Sequence, residues 1–185
     1  MFNMNENQFR FIQTMTQEHR LRHRCNAFTY SDGQALLDLA KTFKPERILE
    51  LGTALGYTAC CLAAAGEKCL VDTIEGDPEH VRIAKKNIAQ VGFAEKVKVH
   101  EGDFSQVMKT LGDGYDIVFF DGLAPTPALL MQLHRKLREG GVLICANLDF
   151  AGRGCEELLD DTNYWKPVGR FENGGTRAVI KINNT

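Results

Sequence analysis

Metal-finger spacing is missing from this sequence. Its six cysteines, Cys25, Cys60, Cys61, Cys69, Cys145 and Cys155, include no C-x-x-C pair, so no zinc framework is indicated. Most lie in apolar stretches, where an unpaired cysteine behaves as a small hydrophobe, and they read as reduced core thiols. An apolar leader is missing too: the first thirty residues are polar and rich in Gln, Asn and Arg, with no h-region of a secretory signal. No run approaches the roughly 20 apolar residues of a membrane span. These absences make a cytoplasmic protein the expectation. A large charge of one sign is absent as well. A net charge of −2 gives no general pull toward nucleic acid or an anionic membrane, and leaves only a local basic patch open. No internal repeat, low-complexity tract or long linker interrupts the chain. With 185 residues, 44% hydrophobic and 25% charged, it reads as one globular domain over 1–185 with a substantial core.

From residue 47 onward short apolar runs alternate with longer helical patterns. RILELG (47–52), CLVDTIEG (69–76), KVKVHEGD (96–103), YDIVFFDG (115–122) and GGVLICAN (140–147) are short, rich in Val and Ile, and most end in Gly or an acidic residue, which predicts strands. Helices are expected at 56–65, 78–91, about 104–111 and 126–138. The second of these opens with Asp77-Pro78, a capping residue followed by proline at the first helical position. This alternation predicts a parallel sheet with helices on both faces. Two further helices, 6–24 and 31–43, precede the first strand, and Ser31 or Asp32 can cap the second. Near the far end WKPVGRF and RAVIKI flank Asn173-Gly174-Gly175, a hairpin signal that predicts an antiparallel finish.

Open α/β sheets bind ligands beyond the carboxyl ends of their strands, so the strand ends carry the functional reading. The first ends in ILELGTALGYTA. Gly52 allows a sharp turn close to a ligand, and Gly56 a tight passage into the next helix. The spacing is G-x-x-x-G rather than the dinucleotide pattern G-x-G-x-x-G. Glu50 would repel a pyrophosphate but suits a cationic amino-acid moiety, and S-adenosylmethionine carries both an ammonium and a sulfonium. Glu75-Gly76 offers a carboxylate to two ribose hydroxyls. Asp103 offers an acceptor for an adenine amino group, and Phe104 a ring for the purine. Asp121-Gly122 falls where the cofactor's reactive end would sit. Any one of these acids could be a helix cap; four in register with E-x-G-x-x-x-G point to S-adenosylmethionine.

SDGQALLDLA, RILELGTALGYTACCLA, DTIEGDPEHVRIAKKNIAQVGF, VKVHEGDFSQVM and YDIVFFDG together resemble the class I O-methyltransferases of the catechol and caffeoyl-CoA type, over about 28–150. The resemblance implies a Rossmann-like α/β fold with a seven-stranded, mostly parallel sheet whose last strand is antiparallel. It also implies cofactor contacts at Glu50, Gly52, Thr53, Gly56, Tyr57, Thr58, Glu75, Gly76, Asp103 and Phe104. In that family an Asp after the fourth strand and an Asp-Asn pair after the fifth hold a divalent metal. Here Asp121 and Asn147 match, but Ala146 stands in place of the second Asp, and Ala124 in place of the catalytic lysine. Losing an anionic ligand weakens a hard-cation site severely, so no functional metal is expected; Asp149 is the one conceivable substitute.

Methyl transfer survives such losses where donor and acceptor are held in line. The acceptor still needs a base, and Asp121 is the first candidate. His100 is expected to face solvent on its strand, and His134 to lie on a helix surface. His19 and His23 lie in the first expected helix, which in the resembled family often borders the substrate or a partner subunit; the basic run HRLRHR (19–24) is read first as a solvated helix end, and second as a phosphate contact. The leading expectation is O-methylation of a small hydroxylated acceptor without a metal. An RNA nucleoside methyltransferase and a non-catalytic S-adenosylmethionine-binding protein are the alternatives, and a homodimer through residues 1–30 is open.

Overall fold

Residues 8–182 are described by the structure, a computed structural model of the chain. The first seven residues, which include the start of the expected first helix, lie outside them. The apolar runs form the strands β1 (Arg47–Leu51), β2 (Leu70–Glu75), β3 (Val97–Glu101), β4 (Tyr115–Phe120) and β5 (Leu137–Cys145), with β6 (Trp165–Phe171) and β7 (Thr176–Lys181) closing the sheet. The spatial order is β3-β2-β1-β4-β5-β7-β6. Neighbours among β1 to β5 pair in parallel, and β7 runs antiparallel to both β5 and β6. The order therefore reverses beside β1, where β1 lies between β2 and β4, and a crevice opens at the carboxyl ends of these strands.

The central strands are apolar on both faces because helices cover both. Ile48, Ile117, Phe119, Val142 and Ile144 point to one side, where α1 (Arg10–His23), α2 (Gly33–Phe43), α3 (Tyr57–Ala63) and α4 (Pro78–Gln90) lie. Their strand neighbours Leu49, Leu51, Val118, Phe120 and Leu143 point to the other, against α5 (Phe104–Thr110), α6 (Pro127–Lys136) and α7 (Arg153–Asp160). A period of two thus feeds two cores. Helix starts follow local chemistry: Asp32, not Ser31, caps α2 by accepting from the Ala35 N–H at 2.9 Å. Asp77 caps α4, accepting from Glu79 and His80, with Pro78 in the first turn.

Three features depart from the sequence expectation. Helix α7 has no counterpart in it, although Cys155, Leu158 and Leu159 space as one apolar helical face. Its anchor is electrostatic. The guanidinium of buried Arg177 on β7 pairs with Asp160 and reaches Glu156 at 3.3 Å, and Arg170 on β6 pairs with Glu156 at 2.7 Å. His100 is partly covered rather than solvent-facing, with Nε2 2.7 Å from an Asp72 carboxylate oxygen. His134 is likewise not a surface residue. One turn beyond buried Leu130, its ring meets Trp165 edge-on at 4.8 Å, and burial lowers its pKa. Trp165 is 1% exposed. Trp165→Ala should therefore destabilise the protein by about 3–5 kcal/mol through the cavity it leaves. The readout is a lower urea midpoint, and a wild-type midpoint would remove Trp165 from the core. Among the described residues no helix is long and apolar enough to cross a membrane.

Candidate functional site

The loop leaving β1 is set by backbone geometry that few side chains permit. Gly52 has φ +101°, and a Cβ built on it would lie 2.5 Å from the backbone oxygen of Asp121. The close approach follows from the sheet: Asp121 N–H donates to Leu51 O at 2.9 Å, and Gly52 N–H to Ile74 O at 3.0 Å. Gly56 has φ +96° at the start of α3, with its own N–H donating to Thr53 O at 2.8 Å. Between them Ala54 is held at φ +44°. Its N–H donates to Glu75 Oε2 at 2.8 Å, and this bond ties the first strand's loop to the second strand's end.

Glu50 is fully buried beneath this loop. One carboxylate oxygen accepts from the Thr73 hydroxyl, which also contacts Thr53. The other, Oε1, is buried with no hydrogen-bond partner among the described residues. Burial pushes the Glu50 pKa up to about 7; the nearby Thr58 and Thr73 hydroxyls oppose this, and the Glu75 charge adds to it. Asp121, at the end of β4, is also raised well above the ordinary aspartate range. Burial is the main cause, then the Glu50 and Glu172 charges, against one hydrogen bond from Asn147. A buried acceptor with no donor is costly to keep, and a Glu50 charge that raises Asp121 while the Glu75 charge raises Glu50 marks a region that favours a cation.

The remaining strand ends divide between local and outward-facing duties. Glu75 accepts from Ala54 and, at 3.0 Å, from Asp77 N–H; each oxygen keeps a lone pair. Asp103 acts as the cap of α5, accepting from Gln106 N–H at 3.2 Å, and is exposed, as is Gly76. Phe104 and Phe120 meet edge to face at 6.4 Å, and both rings press on the Cα of Gly122. Gly52, Thr53, Tyr57, Thr58 and Asp121 share one narrow cleft with Thr16, Phe28, Thr29 and Tyr30. Tyr57 forms its floor, with its hydroxyl against Gly33.

The wall formed by Thr16 and Phe28 to Tyr30 was not legible as site residues. The available signal was their position just before the Asp32 cap, ahead of a strand that ends in the glycine loop. Glu172 was missed as well. It lies in the turn between β6 and β7, yet it accepts from Ser31 N–H at 3.2 Å and from the Thr176 hydroxyl at 2.7 Å. Tyr30, whose ring lies 5.4 Å from Phe119, has its hydroxyl pKa raised mainly by burial.

At the acceptor end the residues do not fit a divalent metal. Asn147 turns its amide nitrogen, a donor, to Asp121 Oδ1 at 3.2 Å and to Gly122 O at 2.6 Å. Ala146 is buried and offers no ligand, and Ala124 is exposed. Asp149 does not replace them: its carboxylate lies against Gly175, where a Cβ would come within 2.7 Å. Among the described residues no trio of His, Cys, Asp or Glu ligand atoms gathers around Asp121.

The basic run is only partly solvated. Arg20 lies over the Phe28 ring at 3.9 Å, and His19 stacks on His23 at 4.3 Å while meeting His80 edge-on at 5.5 Å. Burial first, then His23 and His80, lowers the His19 pKa. Cys25 departs from the core-thiol expectation: five cysteines are buried and Cys25 is only partly so.

A family model described as a methyltransferase domain matches residues 49–148. A catechol O-methyltransferase from Mycobacterium tuberculosis (strain ATCC 25618 / H37Rv) is 30% identical over 139 residues, which is 74% of this chain and 63% of that protein. The chain thus spans less than two thirds of the length of such curated relatives. Among solved structures, the O-methyltransferase TomG from Streptomyces achromogenes in complex with SAM superposes with a TM-score of 0.79 at 21% identity, covering 99% of this chain and 93% of that one. The O-methyltransferase from Bacillus cereus in complex with SAH gives 0.76 at 20% identity, covering 97% and 94%. These likenesses identify the fold as the Rossmann-like class I methyltransferase fold.

Proposed function

The chain belongs to the methyltransferase-domain family, and from that premise we propose that it is an S-adenosylmethionine-dependent O-methyltransferase. Its acceptor is a small hydroxylated molecule, and no metal is held at Asp121. One observation carries the cofactor assignment: Glu50 is fully buried with an unpartnered oxygen beneath the β1 loop, and Gly52 and Thr53 of that loop line, with Asp121, a cleft that has no Lys or Arg among its lining residues. That cleft repels phosphate and welcomes a compact cation. The proposed cofactor contacts are Glu50, Gly52, Thr53, Gly56, Tyr57, Thr58, Glu75, Gly76, Asp103, Phe104 and Asp121.

When bound, S-adenosylmethionine supplies an electrophilic methyl group on a sulfonium. Glu50 then balances positive charge under the β1 loop. Glu75 takes the ribose hydroxyls on its free lone pairs, and Phe104 borders the purine. Asp121 would take the acceptor's hydroxyl proton. Burial holds its pKa well above the ordinary aspartate range, which favours the protonated form, and the Asn147 amide orients its carboxylate. The Asn147 amide donor and Ala146 support transfer without a metal, because a hard cation needs oxygens where they stand.

The test is methyl transfer to a panel of phenols with and without chelator. Equal rates are expected, and activity that requires Mg²⁺ would overturn the metal-free part. Absence of calorimetric binding by both S-adenosylmethionine and its demethylated product would overturn the whole reading, and label appearing only in RNA would overturn the acceptor class. A separate expectation concerns Glu75→Ala, which should weaken cofactor binding by about 1–3 kcal/mol through loss of a charged hydrogen-bond partner. Unchanged affinity would remove Glu75 from the site.

A further inference from the structure

We propose that His19, Cys25 and His80 form a binding site for a divalent cation of the zinc class, which pins α1 and the segment after it to the start of α4. The three residues come from separate places: the last turns of α1, the stretch just beyond it, and the first turn of α4. One ligand atom from each lies within 4.8 Å of the others. The site stands apart from Asp121 and does not depend on the methyl-transfer reading.

Two imidazoles and a thiol are the donors a borderline-soft cation prefers, and they disfavour Mg²⁺ or Ca²⁺. Around a tetrahedral ion with bonds of roughly 2.0–2.3 Å, two nitrogens and a sulfur sit about 3.3–3.5 Å apart, so groups within 4.8 Å of one another need to close by at most about 1.5 Å. The means to do so is local. Arg24 ends α1 in the left-handed region at φ +52°, which frees the chain from the helix immediately before Cys25. The ring of His80 is already fixed: it is 4% exposed, with Nδ1 3.8 Å from Glu75 Oε1 and Nε2 3.9 Å from Asp77 Oδ2. Carboxylates beside a ligating imidazole set its tautomer and raise its basicity. None of the other five cysteines shares this setting, since all are buried.

The consequence concerns the cleft. Three residues beyond Cys25 the chain reaches Phe28, Thr29 and Tyr30, which form the cleft wall. A cation joining Cys25 to His80 would fix that wall relative to Glu75, the carboxylate on the other side of the His80 ring.

The experiment is a Co²⁺ titration of the full chain, first dialysed against chelator and kept reduced. One equivalent should give the intense visible bands of a tetrahedral site and a near-ultraviolet thiolate-to-cobalt band, and Zn²⁺ should displace both. Cys25→Ser should abolish the thiolate band and weaken binding by more than the roughly 10- to 100-fold that outer-shell partners alone are worth. His19→Ala should lose the tetrahedral spectrum. Cys25 and His19 are only partly buried, so far-ultraviolet circular dichroism should stay at wild type where His80 variants risk misfolding. No stoichiometric binding, or an unchanged spectrum in Cys25→Ser, would overturn the proposal.

Discussion

Glu50→Gln should weaken S-adenosylmethionine binding by about 1.5–3 kcal/mol, the worth of a hydrogen bond to a charged group, or roughly 10- to 150-fold in Kd. The substitution keeps the shape and removes only the charge. The wild-type dependence on pH should show the same group. With a folded pKa of about 7, the Glu50 carboxyl of the free protein carries a proton below neutrality and must lose it to pair with a cation. Affinity should therefore rise up to about tenfold per pH unit from pH 5 to pH 7 and level off above. Glu50→Gln should flatten that rise.

Stability runs the other way. A folded pKa above the unfolded value means that the native state holds the proton more tightly. This contribution is complete below about pH 4.5 and is lost as pH rises toward 7. Glu50→Gln should therefore melt no lower than wild type at pH 8 while binding cofactor less well. Isothermal titration calorimetry across pH, with thermal melts on the same samples, separates the two effects. Wild-type affinity in Glu50→Gln would sink the assignment of Glu50 to the cation.

Gly52→Ala should all but eliminate cofactor binding. Two costs add at this position. The backbone sits at φ +101°, where a residue with a Cβ is strained, and the added carbon would lie 2.5 Å from the carbonyl oxygen of Asp121. Strained conformations cost about 1–3 kcal/mol, and relieving the contact must push the β1 loop away from the end of β4. That displacement moves Ala54, and with it the N–H bonded to Glu75. Both the cation end and the ribose end of the site shift together. Gly56→Ala is the informative comparison, because it carries similar strain at φ +96° but its Cβ would meet the Ile88 side chain at 3.3 Å, which can move, and the Ala84 backbone oxygen only at an ordinary 3.6 Å. The expected ranking is a loss beyond detection for Gly52→Ala and a smaller loss for Gly56→Ala, read by calorimetry. Equal small losses would mean that the loop has room the structure does not show.

What the sequence made legible follows from where the physics is local. Strands β1 to β5 and helices α1 to α6 were readable because periodicity, Asp-Pro capping and glycine punctuation act within a few residues. The residues proposed for the donor side, Glu50, Gly52, Glu75 and Asp121, stand out for the same reason: each lies at the end of a recognisable strand. Helix α7 was not, since its hold on the sheet is the pairing of Arg177 with Glu156 and Asp160, a contact between elements. Glu172 was hidden in a hairpin turn that reads as a connector. The His19, His80 and Cys25 group was hidden by separation, since no short motif contains it. His100 and His134 were misjudged because strand alternation and helix flanks say nothing about Asp72 or Trp165 arriving from elsewhere.

The bond from Ser31 to Glu172 spans 141 positions of the chain, and this has a bearing on synthesis. Chains emerge from the ribosome amino end first, and domains fold as enough of them appears. Everything from Glu50 to Asp121 is available well before Glu172 is made. The half of the cleft proposed to hold the methyl donor can thus be organised on a nascent chain, while the opposite rim waits for nearly the last strand. A ribosome-stalled fragment ending near residue 150 should then leave Ser31 without its partner, and the cleft open on that side, until the final hairpin folds back and closes it.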